Sequence, residues 1–232
     1  MRRYFAKKLV NNAFILSESD QHHIHNVMRN KIDDRIEVVW EDKLYIAKLN
    51  QDLVPLLEIA LDMDVNTNNI TIASALIKEQ RWNSLLTRST ESGVSGIIPI
   101  ITERTIVKVK DANKKRTRWE KIVKSASEQS KRLDIPVISD IINLYDLNVN
   151  DYDLCLIANP YVNTNIKSFL KEIDHSTNIL ICFGPEGGFT DSEIIALENK
   201  GFKSVRIGNY VLRCETAPVV AIGMINYELM EK

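Results

Sequence analysis

The sequence predicts an α/β protein in which a small β-barrel-like unit precedes a larger domain built on a mostly parallel sheet. Three observations carry this. Short runs of alternating apolar residues, bounded by turn formers, fill the N-terminal quarter. A polar tract without period follows at residues 62–69, and beyond it the pattern becomes strand, helix, strand, helix to the end of the chain.

In chain order, residues 14–16, 35–40, 44–47 and 56–61 read as strands, with Trp40 and Tyr45 flanking a tight turn at Glu41-Asp42. One helix, over residues 20–28, interrupts them. The tract 62–69 is the linker, which divides the chain into residues 1–68 and residues 69–232. After it come a strand at 70–76 and a helix at 80–92 closed by Gly93 in the C′ position, then a strand at 96–101. A helix over 118–132 presents Trp119, Ile122, Val123 and Ala126 on one face and ends before Pro136. Strands at 154–158, 179–183 and 204–207 alternate with helices at 166–172, 191–200 and 219–230. Such alternation gives a parallel sheet covered by helices, with ligands at the carboxyl ends of the strands.

Composition narrows the function classes. With 232 residues, 44% of them hydrophobic, the chain can fill two cores. No stretch reaches the roughly 18 apolar residues of a membrane span, and the opening Met1-Arg2-Arg3-Tyr4-Phe5-Ala6-Lys7-Lys8 lacks a signal-peptide core, so a cytoplasmic location is expected. Cys155, Cys182 and Cys214 are odd in number and lack metal-site spacing. His22, His23 and His25 crowd one short helix without a second ligand group, a poor basis for a metal centre. The net charge is −1, but Arg104, Lys108, Lys110, Lys114, Lys115, Arg116 and Arg118 concentrate positive charge in one stretch against Asp111. That is the pattern of a solvated surface unless the site chemistry also points to RNA.

Two loops stand out. Gly184-Pro185-Glu186-Gly187-Gly188-Phe189 follows the strand at 179–183 and leads into Thr190-Asp191-Ser192-Glu193, a capping box with Phe189 and Ile194 as its hydrophobic staple. The glycines let a ligand approach the backbone closely, and the plain alternative for a bare glycine pair is a strand-to-helix turn that binds nothing. Glu186 is unsuited to phosphate, which excludes a P-loop or a dinucleotide fingerprint and favours a cationic or hydroxyl-bearing ligand. The second loop runs Ile207-Gly208-Asn209-Tyr210-Val211-Leu212-Arg213-Cys214-Glu215-Thr216-Ala217. Its apolar pair Val211-Leu212 can cover a flat heteroaromatic ring, and Pro218 fixes the exit into the last helix behind Thr216 or Ala217 as cap. The plain alternative for Arg213 and Glu215 is an ion pair that serves only the fold.

These loops resemble those of the RsmE family of 16S ribosomal RNA uridine N3-methyltransferases in the SPOUT superfamily. Further matches are Glu91-x-Gly93-Val94, Ile98-Pro99, Thr102-Glu103-Arg104, Ser127-Glu128-Gln129-Ser130-x-Arg132 before Pro136, and His23-Ile24-x-x-Val27-Met28-Arg29, so the likeness covers nearly the whole chain. It implies a PUA-like β-barrel RNA-binding domain over residues 1–68 and a SPOUT α/β methyltransferase domain over residues 69–232, with a parallel sheet and a deep trefoil knot. It also implies a homodimer, no metal and no membrane, and 16S rRNA or the small ribosomal subunit as partner. S-adenosyl-L-methionine would be held by Ala158, Pro160, Gly184, Pro185, Glu186, Gly187, Gly188, Ile207, Gly208, Val211, Leu212, Arg213, Thr216 and Ala217. Departures from the usual pattern at Asn26, Ile32-Asp33-Asp34, Arg88, Ser92 and Cys214 touch RNA contacts more than this pocket.

On this reading Arg213 holds the uracil and stabilises its developing negative charge, Glu215 orients Arg213, and either Glu215 or Glu186 accepts the N3 proton. Positioning is the larger contribution, about 7–11 kcal/mol against about 1.4 kcal/mol for each pKa unit moved by a nearby cation. Cys214 is expected to be passive, since a deprotonated N3 is itself the nucleophile. RNA is assigned to Arg2, Arg3, His23, Arg29, Arg104, Lys108 and Arg132. The uracil's pairing edge must be free, so the target uridine is unpaired or flipped out. Two other readings remain: a related methyltransferase acting on a 2′-O-ribose or on tRNA, and a non-catalytic RNA-binding module.

Overall fold

The computed structural model describes residues 1–62 and 69–230. The linker expected at 62–69, apart from its two end residues, and the boundary between residues 68 and 69 lie outside the described residues. The chain forms two compact units, Met1–Val65 with Ser127–Asp134, and Asn66–Ala126 with Ile135–Lys232.

The first unit holds a six-stranded sheet. Its strands are β1 (Arg3–Phe5), β2 (Lys8–Val10), β3 (Ala13–Ile15), β4 (Arg35–Trp40), β5 (Lys43–Leu49) and β6 (Pro55–Leu61), in the order β1-β4-β5-β6-β3-β2. β1 runs parallel to β4, and the other pairs are antiparallel. The two outermost strands, β1 and β2, are joined by Ala6 and Lys7 alone. The Ala6 amide donates to Val39 at 2.8 Å and the Lys7 amide to Ile15 at 2.8 Å, so the sheet has to curl until its edges meet. Tyr4, Phe14, Ile24, Val38 and Leu49 fill the space it encloses. Glu41 and Asp42 both take left-handed φ angles, 48° and 56°, the twist a two-residue hairpin between β4 and β5 needs.

The helix expected over 20–28 starts earlier and changes character. Ser17 caps α1 (Glu18–His22) by accepting the Asp20 amide, and the chain then widens into a π-helical turn, His23–Val27, closed by Met28 N–H to His23 C=O at 2.9 Å. β1 and β2 escaped the pattern reading because three residues do not establish a period.

The second unit contains β7 (Ile70–Ala75), α2 (Glu79–Glu91), β8 (Gly96–Ile101), α3 (Ala112–Gln129), β9 (Val137–Ile138), β10 (Ile142–Asn143), β11 (Leu154–Ala158), α4 (Lys167–Leu170), β12 (Ile179–Phe183), α5 (Asp191–Asn199), β13 (Lys203–Val205) and α6 (Ala217–Leu229). The last turn of α3 is counted with the first unit. The strand order is β10-β8-β7-β12-β11-β13, with β9 also on β8, and every pair among the described residues is parallel. Both faces of this sheet are buried. Ile179, Ile181 and Phe183 point into one apolar cluster with Trp82, Ile222 and Ile225, while Leu180 and Cys182 point into the other with Leu197 and Phe202. Strand β12 enters late in sequence yet sits between β7 and β11, which places its carboxyl end at the middle of the sheet edge.

Helix α3 begins at Ala112, six residues before the expected start. The Asp111 carboxylate accepts the Lys114 amide at 2.9 Å and so caps the helix from inside the basic run. Gly93, with φ +96°, terminates α2 as expected. Among the described residues no helix is long and apolar enough to cross a membrane.

Candidate active site

Three strand ends make the site. Ala158 closes β11, Phe183 closes β12, and Arg206-Ile207 follow β13; between them opens a cavity of about 540 Å³ in the size range of cofactor sites. Every residue assigned to the cofactor from the sequence lines it except Thr216. Thr216 is the N-cap residue of α6, and its amide donates to the Arg213 carbonyl at 2.8 Å, so it shapes the loop from behind.

The first loop is a tight turn. The Gly188 amide donates to the Pro185 carbonyl at 2.9 Å, and Gly188 takes φ +68°. A Cβ on Gly184 would lie 3.2 Å from the backbone of Gly188 and Phe189, closer than the turn can readily accept. The exit of the loop is fixed by Glu193, which is fully buried: one carboxylate oxygen accepts the Thr190 amide at 2.8 Å, completing the capping box, and the other accepts the Glu103 amide at 2.7 Å. Arg104, next in that strand-end segment, donates to the carbonyls of Gly187 at 2.7 Å and Phe189 at 3.1 Å. This places Arg104, assigned to RNA from the sequence, on the wall of this cavity.

In the second loop Arg213 is exposed and lines the cavity, while Glu215 is 8% exposed. The ion-pair partner of Glu215 is Arg81, whose Nε lies 4.0 Å from its Oε1; the same guanidinium reaches Glu186 at 3.1 Å. Burial alone would raise the Glu215 pKa. Its own backbone amide, the Cys214 thiol and the positive charges of Arg81 and Arg213 outweigh that and bring it below the usual carboxylate value. Arg213 therefore acts on Glu215 through its field, and the direct contact belongs to Arg81. No sequence pattern marked Arg81, which stands 105 positions from Glu186.

Cys214 is not a nucleophile in waiting. Burial and the neighbouring acids Glu215 and Glu186 push its thiol up to about 11, so at neutral pH it donates to Glu215 Oε2 at 3.3 Å. Its alkylation by iodoacetamide at pH 8 should run on the order of 100-fold slower in the native protein than in urea, as two pKa units require. Peptide mass mapping of the Cys214 peptide checks this, and Cys214→Ser should retain activity.

The remaining cations divide. Arg3 is 3% exposed and gives its guanidinium to Glu37 at 2.9 Å, to the Arg132 carbonyl at 3.1 Å and to the Lys131 carbonyl. Arg132 forks onto Asp134 at 2.6 and 3.0 Å. Charge made both look like surface contacts, but each is committed to the fold of the first unit. Arg2, Arg29 and Lys108 are exposed. His23 Nδ1 meets the Tyr4 hydroxyl at 3.0 Å, and burial with Arg2 nearby lowers its pKa, so it is an uncharged hydrogen-bonding group near neutral pH. Among the described residues no three His, Cys, Asp or Glu side chains converge as a metal-binding group.

Residues 65–226 match the family model described as RNA methyltransferase domain. The chain is 32% identical to the ribosomal RNA small subunit methyltransferase E of Bacillus subtilis, across 98% of this chain and 97% of that protein. Its identity to the protein of the same name in Mesomycoplasma hyopneumoniae is 32%, across 94% and 96%. A crystal structure of ribosomal RNA small subunit methyltransferase E from Neisseria gonorrhoeae bound to S-adenosyl methionine superposes with a TM-score of 0.87 at 27% identity, covering 99% of this chain and 98% of that one.

Proposed function

Because the chain belongs to the ribosomal RNA small subunit methyltransferase E family, we propose that it methylates N3 of a specific uridine in 16S rRNA, with S-adenosyl-L-methionine as methyl donor. The observation that carries this is the cavity where the loops after β12 and β13 face each other. Gly184, Gly187, Gly188 and Gly208 leave backbone exposed to a ligand, Val211 and Leu212 offer apolar cover for an adenine, and Glu186 suits the hydroxyls or the positive charge of this cofactor rather than a phosphate. Bound there, the cofactor supplies an electrophilic methyl group.

The chain's own residues do the rest. Arg213, exposed at the cavity mouth, holds the uracil and offsets the negative charge that develops as N3 loses its proton. Glu215, ionised at neutral pH and within the field of Arg213, is one candidate acceptor for that proton; Glu186, which lines the cavity, is the other. The apolar walls from buried Phe183 and Ile207 and partly buried Leu212 limit water at the reacting nitrogen.

The first unit acts as a PUA-like barrel with its boundary near residue 68, a reading supported by the two-residue link between its edge strands. We take the end of the chain to be threaded as a trefoil knot. The late insertion of β12 and the pairing of residues 164–166 with Arg206 support it. A homodimer through the second unit fits the exposed Met224 and Tyr227 of α6. The reading makes the protein cytoplasmic, where its RNA is. Arg2, Arg29 and Lys108 remain as charged RNA contacts and His23 as an uncharged one, while Arg104 is turned to the glycine loop; binding that rests on the three cations should weaken steeply as salt rises.

The test is methyl transfer from labelled S-adenosylmethionine to unmodified small-subunit particles and to naked 16S rRNA, followed by nucleoside digestion. N3-methyluridine is the expected product. A 2′-O-methyl nucleoside, or transfer to tRNA, would move the chain to a different target, and absence of cofactor binding by calorimetry would make it a binding module.

A further inference from the structure

Arg81 stands in the first turn of α2, where its amide donates to the Lys78 carbonyl at 2.9 Å and the next residue, Trp82, is 1% exposed. The base of the side chain is thereby fixed to the core. Its guanidinium projects into the cavity wall and meets two carboxylates that come from different loops, Glu186 at 3.1 Å and Glu215 at 4.0 Å. Three strand ends, those of β7, β12 and β13, thus send one charged group each to one point.

The partners are complementary in detail. Glu215 Oε2 accepts from the Cys214 thiol, which leaves Oε1 for Arg81. Glu186 is tied to Arg81, while the carbonyls of Gly187 and Phe189 in the same loop are held by Arg104. An isolated pair as exposed as Arg81 and Glu186, with 41% and 33% of their side chains accessible, contributes little by itself. A guanidinium shared with the Glu215 side chain, which is 11% accessible, is different: its planar fork can address two acids at once, and removing it leaves both carboxylates without their common cation.

We propose that Arg81 is a positioning residue that ties the loop after β12 to the loop after β13 through Glu186 and Glu215. It fixes the gap the cofactor occupies and leaves Arg213 free to face the substrate. This rests on the methyltransferase reading above.

The experiment compares wild type, Arg81→Ala, Arg81→Lys, Glu186→Gln and the double variant Arg81→Ala/Glu186→Gln. Cofactor affinity is read by calorimetry, single-turnover transfer by nucleoside analysis, and folding by thermal melts. Arg81→Ala should weaken cofactor affinity about tenfold, and the double variant should lose clearly less than the product of the two single effects, because both changes release the same loop while Glu186→Gln also removes the carboxylate's own contact with the cofactor. Arg81→Lys, with charge but no fork, should recover only part of the loss. The proposal is overturned if Arg81→Ala binds cofactor as wild type does, or if the single effects multiply in the double variant. Should Arg81→Ala fail to fold, Arg81→Lys paired with Glu186→Gln gives the same cycle. If wild type binds cofactor yet modifies no rRNA, the functional reading falls while the calorimetric cycle still decides the role of Arg81.

Discussion

Arg213→Ala is expected to slow single-turnover methyl transfer on the order of 10²–10³-fold, the loss typical of removing one preorganised group that stabilises developing charge. Four arginines line the cavity, and they are not equivalent. Arg81 is taken up by Glu186 and Glu215, Arg104 by the carbonyls of the glycine loop, and Arg206 is half-buried with its Nε enclosed and without a hydrogen-bond partner. Arg213 is exposed, and among the described residues its side chain makes no hydrogen bond or ion pair. It is the cation available to a substrate. Arg213→Lys should recover only a minor part of the rate, since a point charge does not reproduce a planar fork against a uracil edge. Saturating RNA and cofactor keep binding out of the measurement. A full rate in Arg213→Ala would assign the charge stabilisation elsewhere, and an equal fall in cofactor affinity would make Arg213 a binding residue alone.

The parts of this site that were legible in the sequence are the parts whose cause is local. A capping box specifies itself within four residues, so the start of α5 at Asp191 could be read directly, and with it the end of the glycine loop. Continuous apolar runs at 154–158 and 179–183 announce strands buried on both faces, and both appear with those bounds. What failed was non-local or too short. Asp111 looked like the lone acid in a basic surface stretch and is the cap that starts α3 early. Arg3 and Arg132 look like any surface cation until the sheet of the first unit closes over them. β9 and β10 have two residues each and owe their existence to the neighbouring strand β8. Arg81 belongs with these: nothing near it in the chain indicates which acids it meets, because they arrive through the strand order.

That dependence leads to the largest stability effect expected. Trp82→Ala should lower the free energy of unfolding by about 3–5 kcal/mol, as truncation of a fully buried aromatic side chain does. Trp82 is 1% exposed and packs against Trp119 with ring centroids 5.3 Å apart at 51°, which joins α2 to α3 inside the main apolar cluster. The contact adds to the cost of truncation, since tilted aromatic pairs contribute about 0.5–1.5 kcal/mol beyond the area they bury. One feature reduces it: the buried indole Nε1 has no hydrogen-bond partner, so part of the native side chain is already destabilising. Trp82→Phe removes that N–H and keeps most of the ring, and should therefore cost clearly less than Trp82→Ala in urea denaturation. If the two substitutions cost the same, the indole N–H is satisfied by water and carries no penalty in the native protein. Because Arg81 takes its direction from the turn that Trp82 anchors, Trp82→Ala should also weaken cofactor binding at temperatures where the protein is still folded. Trp119→Ala, which loosens the same aromatic pair from the α3 side while leaving the first turn of α2 anchored, should destabilise the fold with a smaller effect on the cofactor.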